Sequence, residues 1–397
     1  MSRLLLLLPV SVLIMFSCRE PFDPEINPAD LSVLVVEGYL DTEGIPTTLK
    51  LSFTKSITED DASSSSSFFP GTGMVIDSRV YGANIFLESS TGGDYFLTEQ
   101  GEGTYLFENN IPENEVYQLH IQLKDGKSYT SFEMQPIITP KIQDIGFERN
   151  EDGVEVYITT QGDKNADKFL WTFTETWAFR PKIVSPYIYR VETGKVDLRT
   201  QEERIDLCFN SKFNSDLLLE TSTRFEDQFV FRKSITQIPV GDEKISYRYS
   251  ILISQEAIDQ KASEFWEIMR KNSSDLGSIF SPLPSNIRGN ITQDQDPTTP
   301  VIGYISMGTV RQERLYIDFR EVLPWRLDVS VYSGCVISRD SVVVADYDAA
   351  FRSGNILPVS EYIPDGAINP TAYFSAPRFC SDCTLRGSNV KPDFWED

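Results

Sequence analysis

Phe169-Leu170-Trp171-Thr172-Phe173-Thr174-Glu175-Thr176-Trp177-Ala178-Phe179 is the most ordered pattern in the chain. Successive side chains on a strand point to opposite faces. Phe169, Trp171, Phe173, Glu175, Trp177 and Phe179 therefore share one face, and Leu170, Thr172, Thr174, Thr176 and Ala178 share the other. Aromatic and β-branched residues at period two predict a long strand. Its aromatic face has two readings. As a ligand surface, Trp171, Glu175 and Trp177 make an aromatic platform with one carboxylate, of the kind that stacks sugars or cyclic ligands. As a core face, the same rings pack inside a sandwich, since large aromatics are mostly buried, and Glu175 pairs with an arginine. The core reading is favoured, with Trp171, Glu175 and Trp177 kept as the candidate ligand face.

The residues on either side also read as strands. Upstream, Leu31 to Gly38 and Thr47 to Thr54 predict a pair of strands joined by a turn over 41–46. From Val80 to Met134 short strands alternate with turns at Gly92-Gly93 and Asp125-Gly126. About seven short strands in roughly a hundred residues, with no helical segment, is the signature of an immunoglobulin-like sandwich. Val154-Glu155-Val156-Tyr157-Ile158 opens a second β-rich segment. One helix is predicted over 255–272, with Ser254 as N-cap and Ile258, Ala262, Phe265, Trp266 and Met269 as its apolar stripe. That stripe is read as docking onto the β-domain.

The predicted fold is mainly β. An immunoglobulin-like sandwich over 31–138 is followed by a second, sandwich-like β-rich domain over 139–397. That domain carries the one inserted amphipathic helix and ends in a wrapped, cysteine-containing extension.

Composition narrows the function. Lys+Arg 36 against Asp+Glu 59 gives a net charge of −23 over 397 residues. Nucleic-acid binding needs basic surface to replace counterions, so nucleic acid is not an expected partner. His120 is the only histidine, and strand alternation puts it opposite Tyr117, Leu119, Ile121 and Leu123, on a solvent-facing side. That placement argues against a Ser-His-Asp or Cys-His hydrolase. No phosphate-binding glycine loop, dinucleotide fingerprint or His-Glu-x-x-His helix occurs. Asp294 and Asp296, and Glu151-Asp152-Gly153, lack the spacing of a calcium helix-loop-helix and read as turns. No catalytic residue, metal or cofactor is assigned. A glycosidase needs only two carboxylates about 5–10 Å apart, so a glycan hydrolase remains the alternative of a different class.

The first residues say where the protein works. Arg3, an apolar run over 4–16 and Ser17-Cys18 form a secretory signal over 1–17. The cysteine after the cut and the Pro21-Phe22-Asp23-Pro24 tether over 18–30 make it a bacterial lipoprotein signal. Cys18 is the expected lipid attachment point, and several acyl chains anchor a protein firmly where one does not. Cys208, Cys335, Cys380 and Cys383 remain, an even number that predicts two disulfides of unassigned pairing in an oxidising compartment.

Several stretches carry a family resemblance. They are Cys18 with Pro21-Phe22-Asp23-Pro24, Leu34-Val35-Val36-Glu37-Gly38, Trp171 with Glu175-Thr176-Trp177, and Phe265-Trp266. Gly277-Ser278-Ile279-Phe280, Pro284-Ser285-Asn286-Ile287-Arg288-Gly289-Asn290-Ile291, Cys380-x-x-Cys383 and Lys391-Pro392-Asp393-Phe394-Trp395 complete the set. Together they resemble an uncharacterised family of Bacteroidetes-type outer-membrane lipoproteins encoded near TonB-dependent receptors. The resemblance implies a location and a neighbour but no catalytic residues. Glu20, Asp23 and Glu25, soon after Cys18, resemble the surface-export signal of such lipoproteins. The expectation is a lipid-anchored, surface-facing outer-membrane protein that is an accessory or ligand-capture partner of a TonB-dependent transporter. A structural role in envelope assembly is not separated from it by sequence.

Overall fold

The computed structural model describes residues 32–56, 74–274, 289–323, 325 and 329–396. Cys18 and its signal, the serine run at 63–67 and the Gly277-Ser278-Ile279-Phe280 motif lie outside them, as does most of the Pro284–Ile291 stretch.

The fold is mainly β, and its two largest cores each sit between facing sheets. In the N-terminal sandwich, the strand Leu34–Asp41 pairs antiparallel with Thr47–Ser56 across the predicted turn, and Thr104–Phe107 extends that sheet. The opposing sheet is built on Asn84–Ser89, Tyr117–Gln122 and Ser128–Ser131. The Asp125-Gly126 hairpin forms as expected: Gly126 takes φ 90°, and the Asp125 carboxylate accepts from Lys127 N at 3.1 Å. Leu49, Leu87, Tyr105, Phe107, Tyr117 and Ile121 fill the space between the sheets. Their alternation with exposed neighbours is what made this half readable.

The predicted boundary at 138 does not hold. Ile291–Gln293 pairs antiparallel with Ser128–Ser131, while Val301–Ile302 and Ser306–Gly308 lie parallel to Leu34–Asp41. Ile291, Val301, Ile305 and Met307 are part of the first core. The chain leaves this sandwich, builds most of the second, comes back to add edge strands, and leaves again. Parallel partners more than 250 positions apart leave no mark on local periodicity. Gly303 permits the close approach: at φ 130°, any Cβ there would lie 1.9 Å from the Val36 carbonyl oxygen.

The second sandwich sets Cys208–Thr221, Lys168–Phe179, Arg248–Ala257 and Val310–Asp318 against Ile142–Arg149, Gly153–Gln161 and Phe229–Pro239. The junction between the sandwiches is polar and tightly bonded. Buried Asp41 accepts from Glu43 N and Ile45 N with one carboxylate oxygen, and from Val310 N at 2.8 Å with the other. Arg311 grips Glu43 bidentately at 2.6 and 3.1 Å and also donates to the Thr139 carbonyl.

Two further boundaries shift. The helix runs Gln260–Ser274, not 255–272, and Asp259 rather than Ser254 caps it, accepting from Ala262 N at 2.7 Å. Residues 254–257 belong instead to the strand Arg248–Ala257, because strands on both sides claim their backbone hydrogen bonds. The apolar stripe docks as predicted: Ile258, Ala262, Phe265, Trp266 and Met269 pack with Leu170, Tyr39 and Tyr304. The C-terminal region is more than a wrapped extension, since Ser341–Val343, Ala372–Pro377 and Ile356–Tyr362 form a small sheet of their own. Beyond it, Trp395 packs edge-on against Phe209 and Tyr316.

Candidate functional site

The aromatic face of Lys168–Phe179 points into the second sandwich. Trp171 is 0% exposed, Glu175 2% and Trp177 9%. The three residues therefore form no open ligand platform, and the ligand reading of this face is corrected. The strand lies between two antiparallel neighbours, with the Ile142–Arg149 sheet covering the face that carries the rings.

Glu175 finds a lysine, not the expected arginine. Both of its oxygens lie 2.8 Å from Lys244 Nζ, and Tyr249 O–H donates to Oε1 at 2.9 Å. Lys244 is delivered by the short turn Glu243–Ile245, whose start is capped by the Asp242 carboxylate accepting from Lys244 N. The ammonium also sits 5.6 Å from the Trp177 ring centroid, within cation–π range. Burial raises the Tyr249 hydroxyl well above its ordinary value, and the Glu175 charge adds to the effect. Trp171 is satisfied as well: its indole N–H donates to Gln255 Oε1 at 2.9 Å, and Gln255 passes its own N–H groups to Pro140 O and Thr160 Oγ1. These are two separate polar clusters inside an apolar core, and bonded groups of this kind favour one arrangement of the strand, although among the described residues the buried Trp177 indole N–H meets no acceptor. Lys244, Tyr249 and Gln255 went unmarked by sequence reasoning. The one available signal was Tyr249, Ile251, Ile253 and Gln255 alternating onto a single face.

His120 is only partly exposed. Its Nε2 lies 2.9 Å from Glu88, its Nδ1 lies 3.3 Å from Thr130 Oγ1, and its ring stacks on Phe86 at 4.9 Å. The alternation around it is as read, with Tyr117, Leu119 and Ile121 buried. Asp296 caps its own turn through Thr298 and Thr299. Among the described residues no three His, Cys, Asp or Glu side chains converge on a metal-sized site.

Two concavities stand out. One, of about 580 Å³, lies between the helix and the first sandwich and is lined by Lys261, Glu264, Phe265, Phe132, Pro297 and Tyr304. At its edge the Tyr304 hydroxyl donates to Asp259, and burial, then the Asp259 charge, raises that hydroxyl above its ordinary value. The other, of about 310 Å³, lies where the hairpin Tyr187–Arg190 and Lys195–Leu198 meets the small C-terminal sheet, and arginines line it. The four cysteines pair as Cys208–Cys383 and Cys335–Cys380, which settles the pairing left open by sequence. Both bonds tie the C-terminal region to earlier parts of the chain.

These features define a disulfide-stapled, mainly β protein in which one sandwich is completed by strands that return from the other. The chain belongs to the family described as Domain of unknown function (DUF4249), which it matches over residues 19–314. The matched span takes in the first sandwich, Cys208 and the second sandwich as far as the middle of its strand Val310–Asp318, while Cys335, Cys380, Cys383 and the C-terminal sheet lie beyond it. No curated protein matches the chain.

Proposed function

We propose that the protein is a lipid-anchored lipoprotein of the outer-membrane surface that partners a TonB-dependent transporter as an accessory or ligand-capture subunit, without catalysing a reaction. The observation that carries the reading is the pair of disulfides, Cys208–Cys383 and Cys335–Cys380, whose partners lie 175 and 45 positions apart. Such bonds form and persist in oxidising compartments, in keeping with the export signal that ends at Cys18. The acidic body, at −23, has no electrostatic attraction for anionic lipid, so attachment falls to the lipid on Cys18 or to a partner protein.

The glycan-hydrolase alternative, which needs a pair of accessible carboxylates, draws no support from the aromatic strand, because its carboxylate, Glu175, is enclosed with Lys244 and Tyr249. A structural role in envelope assembly would use the same lipid anchor.

The test is co-purification from native-host envelopes in mild detergent, comparing the wild type with Cys18→Ala. The wild type is expected to fractionate with the outer membrane and bring down a large β-barrel receptor, and Cys18→Ala to lose the membrane association. A wild type that is anchored but recovers no barrel protein contradicts the partnership.

A further inference from the structure

The arginine-lined cavity is unusual for so acidic a chain. Its polar side carries Arg199, Arg378 and Arg352, and its apolar side is formed by Ile188, Ile205 and Leu357 among others. Arg352 is satisfied by Asp348, and Arg378 Nε donates to Asp382 at 2.8 Å. Arg199 differs. Nε donates to the Ser185 carbonyl at 3.1 Å and Nη1 reaches the Glu203 carbonyl at 3.4 Å. Among the described residues no carboxylate lies within 4.0 Å of its guanidinium. A guanidinium has five N–H donors in a fixed fork that matches a carboxylate. Here most of that fork has no protein acceptor, although acids outnumber bases 59 to 36. Burial holds the Arg199 guanidinium below its ordinary value; the charges of Asp382 and Glu203 pull it back up, and Arg190 and Arg378 oppose them.

The surroundings fix this group in place. Arg199 N donates to Pro186 O at 2.8 Å, and the Glu203 side chain is clamped by Arg190 at 2.6 and 2.7 Å while accepting from Thr200 N. Arg378 and Asp382, also in the lining, bracket Cys380, and Cys383 follows directly, so the two disulfides tie this segment to Cys335 and Cys208. Cys383 N also donates to the carbonyl of Ile205, a wall residue. A volume of about 310 Å³ is at the small end of ligand pockets.

We infer that this cavity binds a small organic acid with an apolar body, its carboxylate on the Arg199 fork beside Arg378 and its hydrocarbon part against Ile188, Ile205 and Leu357. The inference deepens the ligand-capture part of the proposed function and rests on that part alone. Its test uses purified protein, so it can fail while the transporter partnership stands, and the reverse.

The experiment is isothermal titration of the purified full chain with octanoate, with octanol (the tail without the charge) and with inorganic phosphate (the charge without the tail). Octanoate is expected to saturate one site and to bind at least about tenfold more tightly than either comparison. Arg199→Met and Arg199→Lys should each weaken octanoate about tenfold or more, the lysine because it keeps the charge but lacks the planar fork. Leu357→Trp, which fills the cavity from its apolar side, should abolish binding and serves if the Arg199 variants do not fold. Octanol matching octanoate, phosphate matching it, no saturable octanoate binding, or full binding by folded Leu357→Trp would each overturn the inference.

Discussion

The two sandwiches reach stability by different means. The first packs an apolar cluster whose buried polar groups, such as Asn290 and Ser131, are bonded to backbone, and its distinctive requirement is topological: strands from 291–308 must return to its edge, past glycines that leave no room for a side chain. The second is built largely from strands between 142 and 257, and encloses polar chemistry: Glu175 with Lys244 and Tyr249, and Trp171 with Gln255. Apolar packing tolerates many sequences but depends here on distant chain segments meeting. A buried ion pair fixes one arrangement and becomes a liability when one partner is lost. The first half should therefore be most sensitive at the returning segment, and the second at its buried charge.

The largest effect is expected at Gly303. The Cβ of Gly303→Ala would meet the Val36 carbonyl oxygen at 1.9 Å while the backbone sits at φ 130°, and clash and strain together should cost about 4 kcal/mol. Urea unfolding reads this directly, and a loss under about 1 kcal/mol would mean that the returning segment contributes little.

Next comes Lys244→Met, which leaves the Glu175 charge enclosed without its cation. Removing one partner of a buried pair is strongly destabilising, and with Lys244 itself still 22% exposed a cost of about 3 kcal/mol is expected. Replacing both partners, Glu175→Gln with Lys244→Met, should recover part of that loss. If the double variant is no more stable than Lys244→Met alone, the unpaired charge is not the cause.

The smallest effect is one of pH, and it lies where the helix meets the sheets. Burial raises the Glu256 carboxyl from 4.5 to about 8. The folded chain keeps this proton across that window while the unfolded chain releases it, so the Glu256 contribution to stability falls as pH rises from about 4.5 to about 8. Glu37, raised by burial to about 7 with Lys50 opposing, acts in the same direction. Glu256→Gln should match the wild type near pH 4.5 and exceed it at pH 8 by about 2 kcal/mol, after allowance for the partial exposure of the residue. An equal difference at both pH values would show that titration of Glu256 is not involved.

What was legible in the sequence follows from the range of the interactions. The strands of the first sandwich, the Asp125-Gly126 hairpin and the docking stripe of the helix are local patterns, set by periods of two and 3.6 residues, and they appear in the structure as read. The core reading of Trp171 and Trp177 rested on the size of the rings and agrees with their burial. The return of 291–308, the lysine in place of an arginine on Glu175, and the pairing of Cys208 with Cys383 all depend on segments far apart in the chain, so periodicity carries no trace of them. Ser254 reads as an N-cap and 255–257 as the first helical residues before the apolar stripe that starts at Ile258, yet neighbouring strands on both sides hold them extended. Arg199 had no signal either, since a guanidinium becomes noticeable only when its surroundings show that no carboxylate meets it.

The central claim is that the first sandwich is not a unit by itself, because its edges are completed by strands at Ile291–Gln293, Val301–Ile302 and Ser306–Gly308. The most direct measurement compares residues 32–138 alone with the same segment joined through a flexible linker to residues 289–310, each followed by urea unfolding and amide hydrogen exchange. The account predicts no cooperative transition and no protected amides for 32–138 alone, with both gained when the returning segment is attached. A cooperative transition and strong amide protection in 32–138 alone would contradict it.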